Sequence, residues 1–119
     1  MKYRIFYCII LFISSISTNA QLRLSEIFTD NMVFQRDETI QLWGKASPGS
    51  TVKVQFAAVR KTTVAKQDST WNFLFNKQKA NVKAQSIQIE SELQKILLKN
   101  ILIGDVWLCI GQSNMEWPV

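Results

Sequence analysis

Thr39-Ile40-Gln41-Leu42-Trp43-Gly44 and Thr51-Val52-Lys53-Val54-Gln55-Phe56, joined through Ser47-Pro48-Gly49-Ser50, decide the fold of this chain. Ile40, Leu42 and Gly44 alternate with Thr39, Gln41 and Trp43, and Val52, Val54 and Phe56 alternate with Lys53 and Gln55. In a strand successive side chains point to opposite faces, so a period of two marks one buried and one wet face. The Pro-Gly pair between the two runs supplies a turn. Two strands follow from this stretch alone.

The same period continues outward. Trp71, Phe73 and Phe75 alternate with Asn72 and Leu74, and Ile87 and Ile89 alternate with polar partners. Turn signals stand at Asp30-Asn31, Arg36-Asp37, Gln67-Asp68-Ser69 and Asn76-Lys77. One segment is ambiguous: Glu92 to Lys99 is rich in Glu, Leu, Gln and Lys, which favour helix. Its flanking strands assign Ile96–Lys99 to a strand instead. Short strands at this spacing, with no long helical pattern between them, predict a mainly β domain over residues 21–103, an antiparallel β-sandwich of jelly-roll-like kind.

After Ile103 the pattern changes. Val106-Trp107-Leu108-Cys109-Ile110 is a nearly continuous apolar run bounded by Gly104 and Gly111. Such a run fits a strand covered on both faces, as in a parallel sheet. A domain boundary is therefore expected near Gly104-Asp105. Within this run Cys109 reads as a buried small hydrophobe, and Trp107 and Trp117 read as core or domain-interface residues.

The other end reads as a targeting segment. Lys2 and Arg4 precede the uncharged run Ile5 to Ile13, and small polar residues lead to Thr18-Asn19-Ala20. That is the three-part pattern of a secretory signal peptide over residues 1–20, cleaved after Ala20. The apolar run falls short of the roughly 20 residues a membrane span requires, so no stable membrane insertion is expected. The expected location is extracellular or periplasmic. Cleavage would leave 12 basic and 9 acidic residues, a net charge of +3. The basic residues are scattered, which argues against a nucleic-acid partner. Only Cys109 would remain, so the fold cannot rest on an internal disulfide and must rest on its core.

Chemistry is concentrated at Gly111-Gln112-Ser113-Asn114-Met115-Glu116. A serine hydroxyl becomes a useful nucleophile when a base takes its proton and donors hold the oxyanion that forms. A turn from strand to helix meets both needs, because it lifts the hydroxyl clear of the sheet beside free backbone N–H groups. Gly111 permits a tight turn there. The pentapeptide lacks the second glycine of the Gly-x-Ser-x-Gly elbow. On spacing alone, Ser113 or Asn114 could equally cap a helix, with Glu116 favouring its positive start. The 119 residues contain no histidine, so no serine triad can be assembled within them.

The longer string Gly104-Asp105-Val106-Trp107-Leu108-Cys109-Ile110-Gly111-Gln112-Ser113-Asn114-Met115-Glu116-Trp117 closely resembles the nucleophile block of sialate O-acetylesterases, within the SGNH (GDSL-like) hydrolase superfamily. Upstream, Phe28 to Arg36 and Leu42 to Gly49 resemble the opening of that family's N-terminal β-domain. The resemblance implies the N-terminal part of a secreted esterase that removes acetyl groups from sugars, classically O-acetylated sialic acids. Residues 104–119 would then be the first strand and nucleophile turn of an α/β hydrolase domain that is cut off. It implies Ser113 as nucleophile, its backbone N–H as an oxyanion-hole donor, and no metal or organic cofactor. Ile110 departs from the pattern, where a small residue is common. The family's catalytic Asp and His match no position here, so the chain alone is expected to be inactive. Two other readings remain: a non-catalytic β-sandwich that binds glycans or supports another domain, and an inactive truncated product. The sugar, the acetyl position, the substrate-binding residues and the oligomeric state are not legible.

Overall fold

A computed structural model describes residues 20–92 and 94–111. Among the described residues there are eight strands and no helix. They are β1 (Arg23–Leu24), β2 (Val33–Gln35), β3 (Ile40–Lys45), β4 (Thr51–Phe56), β5 (Val59–Val64), β6 (Thr70–Phe75), β7 (Asn81–Ser91) and β8 (Gln94–Gly104). They divide into a three-stranded sheet, β1-β3-β6, and a five-stranded sheet, β2-β8-β7-β4-β5. The expected strands at 40–44, 52–56, 71–75 and 87–89 all form, and the ambiguous segment after Glu92 is the long strand β8.

Alternation dictates how the sheets meet. Ile40 and Leu42 of β3 and Trp71, Phe73 and Phe75 of β6 turn inward from the small sheet. Val52, Val54 and Phe56 of β4, with Ile87 and Ile89 of β7 and Ile101 and Ile103 of β8, turn inward from the large one. The two sets form one buried cluster. Phe56 and Phe75 meet edge to face across the interface, with ring centroids 5.6 Å apart. Such a pair adds about 0.5–1.5 kcal/mol to the burial of its area. The result is a two-sheet sandwich whose stability comes from apolar burial.

Both open sides are bridged. On one, Lys61 of β5 donates to the Leu74 carbonyl of β6 and lies over the Phe75 ring. On the other, the segment between β1 and β2 carries Phe28, which packs against Phe34 and Trp43. Gly49 takes the turn between β3 and β4 at φ 78°, a conformation that suits glycine.

The structure corrects the sequence reading in several places. The sandwich is not purely antiparallel, because β2 pairs in parallel with β8, Val33 opposite Leu102 and Gln35 opposite Gly104. Residues 106–110 form no strand: no described strand lies beside them to complete a ladder, and a strand covered on both faces needs such neighbours. Trp107 is consequently 84% exposed, and Cys109 is an exposed free thiol rather than a buried one. Asn76-Lys77 makes no turn. Strand β5 and the turn at Ala57-Ala58 were not anticipated. Residues 1–19, which carry most of the expected signal peptide, lie outside the described residues.

Candidate functional site

The segment that leads toward Ser113 begins where β8 ends. Strand β2 lies alongside β8 there, and the Arg36 amide donates to the Gly104 carbonyl at 2.8 Å. Past Gly104 the chain leaves the sheet, and two side chains from the end of β2 hold it. Arg36 Nε donates to Asp105 Oδ1 at 2.8 Å, and the Val106 amide donates to Gln35 Oε1 at 2.7 Å. Gln35 thus satisfies a backbone donor that has left its ladder. The Arg36–Asp105 pair is about half exposed on both sides, so it directs the chain more than it stabilises the fold. Gln35, Glu38, Asp105, Val106 and Trp107 line a shallow hollow at this point.

This arrangement joins two stretches that the sequence reading singled out separately, Phe28 to Arg36 and Gly104 to Trp117. It is a mechanical clamp. Ser113, the expected nucleophile, lies outside the described residues together with Gln112, Asn114 and Glu116. Among the described residues no group of three His, Cys, Asp or Glu side chains is placed to hold a metal ion. No helix among them is long and apolar enough to cross a membrane.

A second feature escaped the sequence reading. The outer face of β1-β3-β6 forms a cavity of about 530 Å³, lined by Arg23, Glu26, Trp43, Lys45, Lys66 and Asn72 among others. Its signal was present: Trp43 falls at a wet position of the period-two pattern, where a polar residue is the norm. Two residues before Thr70, which lines the cavity, Asp68 accepts from the Thr70 amide at 3.0 Å and from the Thr70 hydroxyl at 2.6 Å. The Thr70 hydroxyl, and then its amide, hold the Asp68 carboxyl below its ordinary value of 3.8.

No family model matches the chain. Among curated proteins it is similar to a sialate O-acetylesterase of Homo sapiens, 32% identical over 114 residues, which cover 87% of this chain and 22% of that protein. It is also similar to a sialate O-acetylesterase of Mus musculus, 31% identical over 97% of this chain and 24% of that protein. Among solved structures it resembles a carbohydrate acetylesterase from Xanthomonas citri. That match has a TM-score of 0.74 and 31% identity, and it covers 82% of this chain and 22% of the other. The chain therefore spans between a fifth and a quarter of the length of these relatives. The resemblance to sialate O-acetylesterases read from the sequence extends over most of the chain.

Proposed function

We propose, from this resemblance to sialate O-acetylesterases, that the chain is the N-terminal portion of a secreted serine esterase that removes acetyl groups from sugar hydroxyls. The observation that carries the proposal is the clamp. Residues 33–36 and 104–106, which belong to separate motif blocks, meet where the chain departs for Ser113. In this reading the β-sandwich is a rigid base, and residues 104–119 open an α/β hydrolase domain. Ser113 Oγ attacks the acetyl carbonyl and its proton passes to a base. The Ser113 backbone N–H helps hold the oxyanion, and the sugar oxygen leaves as a hydroxyl. Water then cleaves the acetyl-serine ester and releases acetate. The base is a histidine supplied outside these 119 residues, since they contain none.

The reading makes a paired prediction for hydrolysis of p-nitrophenyl acetate. The 119-residue chain gives no turnover above its Ser113→Ala variant. The polypeptide read through the whole gene gives turnover that Ser113→Ala removes. Serine-dependent turnover by the short chain would refute the claim that its base lies elsewhere. The sugar substrate and export through residues 1–20 belong to the same proposal; export is checked by the N-terminus of the secreted protein, expected at Gln21.

A further inference from the structure

We propose that the outer face of β1-β3-β6 is a binding site for a carboxylate-bearing saccharide, separate from Ser113 and independent of the esterase reading. The strand register lays out the face. On β3, Gln41, Trp43 and Lys45 point outward. Lys45 stands between Arg23 of β1 and Thr70 of β6, and Trp43 stands opposite Asn72. On its other side the Trp43 carbonyl accepts from the Ser25 amide at 3.1 Å. Rows two residues apart along a strand are separated by about 7 Å, so the cations lie one row from the indole.

Trp43 is 39% exposed on a face of polar side chains. Phe28 meets it edge to face at 4.7 Å between centroids, which limits its motion. A fixed aromatic surface presents contact area with little rotamer entropy left to lose on binding. Around it are groups that suit sugar hydroxyls: the amides of Gln41 and Asn72 and the hydroxyl of Thr70.

Charge selects among sugars. Arg23, Lys45 and Lys66 line the cavity against the single carboxylate of Glu26. None of the three cations pairs with a carboxylate within 4 Å among the described residues, unlike Arg36 and Lys95. Lys66 shares its charge with nearby Asp68, while Arg23 and Lys45 are free to meet an anion, and the guanidinium of Arg23 suits the two oxygens of a carboxylate. The apolar C–H face of a pyranose covers the indole while its carboxylate reaches toward Arg23 and Lys45. A bare anion would leave the indole unused, and three cations on one short face are too few to follow a nucleic-acid backbone.

Calorimetric titration of the full 119-residue chain at low ionic strength tests this, using sialyllactose, lactose and trigalacturonate. The expected result is saturable binding of at least one acidic oligosaccharide, about fivefold tighter than lactose, which is the upper end for an exposed charge pair. Trp43→Ala removes binding, Lys45→Gln reduces the acidic sugar to the level of lactose, and Trp107→Ala, outside the face, changes neither. In amide and indole spectra the shifts on titration fall on Trp43 and Asn72, which decides the matter even if Trp43→Ala fails to fold. No binding of either acidic sugar up to about 10 mM, a very weak affinity, overturns the proposal. Equal binding of lactose, or binding that survives in a folded Trp43→Ala variant, overturns it as well.

Discussion

Replacing Phe56 by alanine tests whether the two sheets are held together as described. Phe56 is fully buried on β4, with its ring 5.6 Å from Phe75 across the interface and 6.0 Å from Phe34. Truncating a buried Phe costs about 3–5 kcal/mol, from lost transfer energy and the cavity left behind. Two aromatic partners lose contact here, so the upper half of that range, about 4–5 kcal/mol, is expected. A domain of about 90 residues holds about 5–13 kcal/mol in all, so the variant sits close to its unfolding threshold. At about 4–8 °C per kcal/mol, its Tm falls by about 16–40 °C. The comparison is Leu74→Ala, one residue before Phe75 on the outer face of β6 and 53% exposed, where the expected change is within about 0.5 kcal/mol. Urea unfolding followed by tryptophan fluorescence supplies both values. If Phe56→Ala costs no more than Leu74→Ala, the sheets do not pack through this pair and the core is wrongly described.

Three further outcomes follow from local geometry. Arg36→Ala and Asp105→Ala each lower stability by less than about 1 kcal/mol, as for other exposed pairs, whereas Gln35→Ala speeds hydrogen exchange at the Val106 amide; unchanged exchange there would remove the clamp. In Gly44→Ala the new Cβ overlaps the Arg23 carbonyl oxygen and comes within 2.6 Å of Trp71 Cζ2, so β1 is displaced at a cost of about 1–3 kcal/mol. A variant as stable as the parent in chemical unfolding would contradict that contact. Asp68 titrates below 3.8 because Thr70 binds its charged form, so its stabilising contribution is present above the unfolded pKa and fades as pH falls through the folded one. Carboxyl NMR should show this midpoint rising in Thr70→Val, and an unmoved midpoint would assign the shift to another cause.

The strands the sequence displays clearly are those with one apolar face. In β3, β4 and β6 the inward set is Ile40 and Leu42, Val52 to Phe56, and Trp71 to Phe75, and burial follows that alternation directly. Strand β5, Val-Arg-Lys-Thr-Thr-Val, is an edge strand with no buried residue, so no hydrophobic period marks it. The turn before it rests on Ala57 at φ 52°, and alanine carries no turn signal. Strand β2 is three residues long and pairs across almost 70 positions of sequence, where local pattern is silent. The run Val106 to Ile110 misled for the opposite reason. Its composition states what neighbours it needs, and a strand forms only where those neighbours exist. The candidate site around Ser113 is a reading of motif alone, since Ser113 lies outside the described residues, while the Arg36–Asp105 contact that anchors the segment leading to it depends on folding.

The proposed role of Ser113 as nucleophile of an acetylesterase, with this chain as its first part, is open to direct test. The direct measurement is kcat/KM for an acetyl ester with the polypeptide read through the whole gene, beside its Ser113→Ala variant. A loss on the order of a millionfold is expected, the scale seen when a catalytic serine is removed. A Ser113→Ala enzyme that keeps the parent rate would contradict it.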